Sequence, residues 1–281
     1  MNLRIMGVYR EAEFSPGKVE ADAAIIDAVL DQLNVAGAET MTLDPVRFIS
    51  DPLPDVHMAL AMCQGAQALS RLAAAEQSGA VALNSALAIR NCYRDLLGAG
   101  LMRAGVPVPE GTLVRTSQPL DLKPLRTLDL SSPMYVKRGD LHALAPGDVQ
   151  RVEGLDQLEA TLMRFARRGL TTAYVQQEVA GNVVKFYGVG GGEYFAAAPL
   201  DGGELSEAMK LALSHAAATA AAALGLEVWG GDAIVKGDSF SIIDFNDWPS
   251  FERVRDQAAR AIARRCLMLI RRHPAARDLA L

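Results

Sequence analysis

The sequence predicts a mixed α/β (α+β) protein of two or three lobes that opens with a small parallel sheet. Three observations carry this reading. The first 84 residues alternate short apolar strands with helices. After residue 106 several strands instead follow one another through tight glycine turns. Finally, 281 residues, half of them apolar, can bury a sizeable core and divide it among more than one lobe.

The elements follow in order. "LRIMGV" (3–8) is a strand, followed by the turn segment "REAEFSPGK". "VEADAAIIDAVLDQLNVAG" (19–37) spaces its apolar residues as a helix does and stops at Gly37. "AETMTLD" and "HMALAMC" are the second and third strands, "ALSRLAAAEQSG" is a helix and "AVALN" (80–84) a short strand. This β-α-β-α rhythm implies a parallel sheet flanked by helices. Ligands collect at the carboxyl ends of such strands. Ser15, Lys18, Gln64 and Asn84 are therefore candidate site residues, with ordinary loop polarity as the competing reading.

"NSALAIRNCYRDLLGAGLMRAG" reads as one helix leading into "VPVPEGTLV" (106–114), whose prolines mark a linker or an edge strand. "PMYVKRG" (133–139) is a strand ending in a charged turn, and "LDQLEATLMRFARRG" is an amphipathic helix. "TAYVQQEVAGNVVKFYGVGGGEYFAAAPL" makes three strands, with turns at Gly181 and Gly190–Gly192. A long Ala-rich helix follows, then a hairpin turning at Lys236–Gly237–Asp238, and a last helix with a basic outer face.

Composition excludes several function classes. A net charge of −5 argues against a general polyanion-binding surface, so no nucleic-acid partner is expected and any phosphate site is local. Cys63, Cys92 and Cys266 are far apart, with no metal-like spacing, and favour a reducing compartment. Charges at Arg4, Arg10 and Glu11 interrupt any signal-peptide apolar region, and no uncharged apolar run reaches the ~20 residues of a membrane span. The expectation is a soluble cytoplasmic protein without a membrane partner.

The chemistry concentrates in "SIIDFNDWPSF" (241–251). Residues two apart in a strand share a face, so Asp244 and Asn246 project side by side from a strand end. The preceding hairpin strand carries Asp232 in "GGDAIV", and antiparallel pairing would bring it beside them. Carboxylate and amide oxygens suit Mg²⁺, which takes few protein ligands and completes its octahedron with phosphates and water. A capping or turn role for Asp244 is the alternative. Lys137 ends an apolar strand, either as a snorkelling surface residue or as a point charge for phosphate. Lys185 lies inside a strand among apolar residues, which calls for an anionic partner. Gln177 and Glu178 sit at a strand end before a turn, where backbone could meet a purine edge.

The order of these pieces resembles the ATP-grasp superfamily, most closely its RimK-like ligases. The pieces are Arg94 on a helix before "GVPVPEG", Lys137, "VQQEVAG…VKFYGVGG", and "LGLEVWGGDAIV…SIIDFNDWPSF". The resemblance covers roughly residues 80–265 and implies an ATP-grasp fold: a pre-grasp α/β domain over 1–88, then a grasp domain over 89–281. Within the latter, a small lobe over about 106–180 and a large lobe over about 181–270 would clasp ATP. It implies that Arg94 and Lys137 contact the phosphates, and that Gln177, Glu178 and the backbone of Val179 meet the adenine. Lys185 would lie near the transferred phosphate, with Arg138 adding charge stabilisation; Arg138 and His142 would cover the nucleotide in place of the family's usual flap, with a plain loop residue as the equal reading of His142. Asp232, Asp244 and Asn246 would hold Mg²⁺, with Mn²⁺ as a substitute, and Ser15, Lys18 and Gln64 would border the acceptor.

The implied activity is an ATP-dependent, ADP-forming carboxylate–amine ligase working through an acyl phosphate on a small molecule or short peptide. A kinase on the same fold and a non-catalytic nucleotide-binding protein are the alternatives, and pairing into a homodimer is a further expectation. Four departures from the family pattern stand out: Arg94 replaces a lysine, Asp244 replaces a glutamate, "DWPSF" lacks the glycine after proline, and "RGDLHALAPGD" after Lys137 is not the usual Gly-rich phosphate flap.

Overall fold

The computed structural model describes residues 3–273. Its first unit is built from β1 (Arg4–Val8), α1 (Val19–Val35), β2 (Glu39–Leu43), α2 (Pro45–Ser50), β3 (Met58–Ala61), α3 (Ala66–Gln77) and β4 (Val81–Leu83). The four strands are parallel, in the order β2-β1-β3-β4. Every residue of β3 is buried, as befits a central strand covered on both faces. Ile25, Ile26, Val29, Leu30 and Leu33 of α1 cover one face, while Phe48 of α2 and Leu69 and Leu72 of α3 cover the other. The short α2, unanticipated from sequence, starts at Pro45 and is capped by the Asp44 carboxylate, which accepts from the Arg47 N–H at 3.0 Å.

The single helix expected over 84–105 is two helices, α4 (Ala86–Asn91) and α5 (Arg94–Arg103). The break at Tyr93 has extended backbone, and the Tyr93 hydroxyl donates to the Gln64 carbonyl. A two-pronged Arg90–Asp95 pair at 2.8 and 2.7 Å straddles it. The break restarts the chain with Arg94 at the head of α5, its side chain buried.

A second, antiparallel sheet contains β5 (Gly111–Arg115), β6 (Met134–Arg138), β7 (Val149–Val152) and β8 (Thr172–Gln177), in the order β5-β8-β6-β7. α6 (Gly154–Arg167) packs on it through Leu158, Leu162 and Phe165. β5 lies on the edge, where its prolines suggested. β7 was not anticipated: "VQRV" has little strand character alone and is organised by pairing with β6.

The third sheet has the order β10-β9-β11-β12, from β9 (Asn182–Val189), β10 (Tyr194–Pro199), β11 (Val228–Lys236) and β12 (Ser239–Asp247). The Ala-rich α7 (Glu207–Leu224) covers one face, closing on Gly225 in left-handed conformation at φ 76°. α8 (Arg255–Arg272) lies against α1. No described helix is long and apolar enough to cross a membrane.

The first and third sheets share one apolar core, formed by α1, α8 and residues that include Tyr187, Val228, Trp248 and Phe251. Two polar clasps lock the seam. Asn84 is fully buried: its Oδ1 accepts from the N–H groups of Glu227 (2.7 Å) and Val228 (2.9 Å), and its Nδ2 donates to the Val228 carbonyl at 2.7 Å. Asn84 therefore ties two sheets together and does not line the cleft described below. Trp248, in left-handed backbone at φ 37°, donates its indole N–H to the Leu83 carbonyl at 2.8 Å. Replacing Asn84 by Ala removes the acceptor of the Glu227 and Val228 N–H groups, while the Val228 carbonyl keeps the Trp248 N–H at 3.4 Å, and Trp248→Ala opens a large cavity. Losses of about 2–3 and about 3–5 kcal/mol are expected in denaturant unfolding, whereas Leu87→Ala, at an exposed position, should change stability by under about 0.5 kcal/mol.

Candidate active site

Register in the third sheet does most of the positioning. Lys185 lies opposite Asp232, and Asp232 opposite Asp244, so three charged side chains stand in one row across β9, β11 and β12. The next row on that face is Tyr187, Gly230 and Asn246. The alternate residues Phe186, Trp229, Ala233 and Phe245 face the other way, into the core beneath α7. Gly231 permits the tight fit, since a Cβ there would lie 2.3 Å from the Asp244 carbonyl oxygen and 2.6 Å from the Phe186 ring.

A bulge after Asp232 leaves Ile243 out of register, and the Ile243 carbonyl accepts from Lys137 Nζ at 2.8 Å. Lys137 belongs to β6 of the second sheet, so this bond spans the two antiparallel sheets. Between them lies a cleft of about 550 Å³, lined also by the loop after β1. Lys185 Nζ donates to Asp232 Oδ1 at 3.2 Å, and Arg94 Nη2 lies 3.9 Å from Asp244 Oδ2. Arg94 is further held by the Leu141 carbonyl at 3.0 Å.

Burial sets the titration of this group. Desolvation lowers the Lys137 ammonium to about 8, with the Asp244 charge opposing the drop. Desolvation also lowers Arg94 and raises Asp232, the latter countered by Lys185. Asp232, Asp244 and Asn246 all line the cleft and offer only oxygen donors. The described residues hold no cluster of three His, Cys, Asp or Glu side chains suited to a metal. Two adjacent carboxylates and an amide fit a hard divalent cation such as Mg²⁺ or Mn²⁺ that takes its other ligands from phosphate and water.

The other expected residues divide. Gln177 and Val179 line the cleft near an apolar slot formed with Tyr135, Val149 and Ile234. Glu178 is instead engaged by Arg151 in a two-pronged pair at 2.8 Å on both prongs, which lowers its carboxyl, and it does not border the cleft. Arg138 is likewise outside, held by Asp140 at 2.6 Å and Asp148 at 3.2 Å. His142 does line the cleft, with Nε2 3.0 Å from the Phe14 carbonyl, and desolvation lowers it to about 4. Ser15 donates to Asp22 Oδ2 at 2.6 Å, and Lys18 pairs with Glu252 at 3.0 Å. Both border the cleft, whereas Gln64 lies buried behind it, donating through Nε2 to Asp247 Oδ1 at 3.0 Å.

Sequence reasoning passed over Arg10, Asp22 and Asp247, which all line the cleft. Arg10 follows the carboxyl end of β1, the position that singled out its neighbours, and that signal would have found it. Asp247 had none, because it follows Asn246 and alternation sends it toward the interior.

Burial raises the Asp247 carboxyl to about 6, partly offset by Arg10. Its folded value lies above its unfolded one, so its stabilising contribution is complete only below the unfolded value of 3.8 and is lost as pH rises through about 6. Asp247→Asn should therefore be more stable than the wild type at pH 7.5, by about 2–3 kcal/mol. In unfolding curves taken across this range, the gain should shrink as pH falls and vanish below the unfolded value of 3.8.

No protein-family model and no curated protein matches the sequence. Solved structures do match. D-alanine–D-alanine ligase from Bacillus anthracis, complexed with ATP, superposes with a TM-score of 0.72 at 14% identity, covering 96% of this chain and 99% of that one. A RimK domain ATP-grasp protein from Sphaerobacter thermophilus gives 0.69 at 19% identity, covering 94% and 99%. VanG D-Ala:D-Ser ligase from Enterococcus faecalis gives 0.72 at 13% identity, covering 96% and 100%. With a parallel sheet followed by two antiparallel sheets around one cleft, and a match over nearly the whole length of each, the chain has the ATP-grasp fold.

Proposed function

We propose that this protein is an ATP- and Mg²⁺-dependent carboxylate–amine ligase. The observation that carries the reading is the Lys185–Asp232–Asp244 row with Asn246, facing Lys137 and Arg94 across the cleft. Residues 1–88 would form the pre-grasp domain and 89–281 the grasp, with lobes over about 106–180 and 181–270. The solved structures of similar shape, whose names describe ligases for small molecules, support the reaction class. The three unpaired cysteines, buried or half-buried, are compatible with a reducing cytoplasm.

ATP would lie with its base in the apolar slot by Tyr135 and Val179 and its phosphates toward Lys137, Arg94 and Lys185. A substrate carboxylate oxygen attacks the γ-phosphorus, the bond to the β-phosphate oxygen breaks, and ADP departs. An amine nitrogen then attacks the acyl carbon, phosphate leaves, and the nitrogen gives up a proton. Asp232, Asp244 and Asn246 would hold Mg²⁺, which neutralises phosphate charge when bound. Lys137 and Lys185 hold positive charge where negative charge develops, so catalysis rests on positioning and electrostatics. Arg138 and Glu178, engaged elsewhere, are assigned support of the neighbouring loop and strand.

Thermal unfolding tests the nucleotide site. ATP at about 100 times its Kd should add about 2.7 kcal/mol of stability, with the Mg²⁺-dependent part lost in Asp244→Ala/Asn246→Ala. No shift with ATP or ADP would end the ligase reading. Titration gives a second check. Because burial lowers the free Lys137 to about 8, ATP should bind more weakly as pH rises above that value, by up to about tenfold per unit. Lys137→Met should bind more weakly at pH 7 and flatten the profile, as isothermal titration would measure.

A further inference from the structure

The end of the cleft next to the first sheet differs from the nucleotide end. Asp247 is 1% exposed, and its Oδ2 has no hydrogen-bond partner among the described residues. Gln64, 4% exposed, holds Asp247 Oδ1 and likewise has an unpartnered Oε1. Buried acceptors without donors are rare and call for an occupant that brings N–H or O–H groups.

Charge narrows the class of that occupant. At the nucleotide end, Arg94, Lys137 and Lys185 outnumber Asp232 and Asp244. At this end the balance reverses, with Asp22 and Asp247 against Arg10, and Glu11 behind them accepting from the Gln64 and Gly65 N–H groups at 3.0 Å. Arg10 is largely committed: Nε donates to the Met62 carbonyl at 3.2 Å, Nη2 donates to the Trp248 carbonyl at 2.6 Å, and Nη1 lies 3.6 Å from Asp22. Lys18 is neutralised by Glu252. An anion entering here meets excess negative charge, whereas a cation offering N–H donors satisfies both the field and the open oxygen.

We infer that this end of the cleft receives a primary amine in protonated form, with Asp247 Oδ2 as its acceptor and Asp22 as the second negative charge. Gln64 is the positioning residue that fixes the Asp247 carboxylate. The ligase reading makes this amine the acceptor: it first gives one proton to the Asp247 carboxylate, and the freed lone pair then captures the acyl phosphate; the binding itself is independent of that reading.

The test is thermal unfolding of the full chain with glycinamide or ethylammonium chloride, against acetamide and sodium acetate, with and without Mg·ATP. The amines should raise Tm in a saturable way and the two controls should not. Asp247→Asn should weaken the apparent affinity for glycinamide at least tenfold while keeping the ATP-dependent shift. Asp22→Asn should weaken it at least threefold, and it decides the matter if Asp247→Asn does not fold. Stabilisation by acetate, an amine shift that survives in the variants, or no amine shift at all (a site filled by water only) would overturn the inference. An ATP shift without an amine shift rejects this site alone, whereas an amine shift without an ATP shift rejects the ligase reading alone.

Discussion

The structure depends on the alternation of side chains along β9, β11 and β12. One face of this sheet must be apolar to bury α7, and it is, through Phe186, Trp229, Ala233 and Phe245. The other face is thereby free to carry Lys185, Asp232, Asp244 and Asn246 in fixed register. A slip of one residue would drive two carboxylates into the core and expose the aromatic residues, a cost no nearby group offsets. The core thus holds the charged row in place, and the row can be dense in charge because the backbone beneath it cannot shift.

This dependence explains which parts were legible in the sequence. The facing of Asp232 with Asp244 and Asn246 could be read because strand period and a short hairpin turn fix register locally. The parallel unit could be read from its β-α rhythm, and the anionic partner of Lys185 from the oddity of a lysine among apolar strand residues. Glu178 and Arg138 could not be placed, since their orientation follows from partners such as Arg151, Asp140 and Asp148, chosen by tertiary packing. The break between α4 and α5 was hidden for the same reason: Tyr93 turns the chain by reaching Gln64 on a distant loop. β7 exists through its pairing with β6, and Asn84 looked like a strand-end ligand until its three backbone bonds came into view.

The cleft has an electrical direction. Cations gather where the two antiparallel sheets face each other, and acids gather where the third sheet meets the first. The transition lies within β12 itself, where Asp244 and Asn246 look toward one end and Asp247 toward the other. A single strand end therefore borders both environments.

The partition of the apolar core has a mechanical consequence. The first and third sheets share one core and are clasped by Asn84 and Trp248, so they form a single body. The second sheet has its own core, drawn only from residues 114–175. Polar links tie it across the cleft: Lys137 to the Ile243 carbonyl, the Arg94 N–H to the Asp140 carbonyl at 3.0 Å, and His142 to the Phe14 carbonyl. Widening the cleft thus means swinging the second sheet and α6 as a lid, at the cost of a few hydrogen bonds and of the contact between the Tyr174 ring and Gly98 of α5, with the lid's own core left intact. The residue that anchors the closed lid, Lys137, is also the one proposed to meet phosphate, so a nucleotide entering the cleft would compete with the latch for the same ammonium.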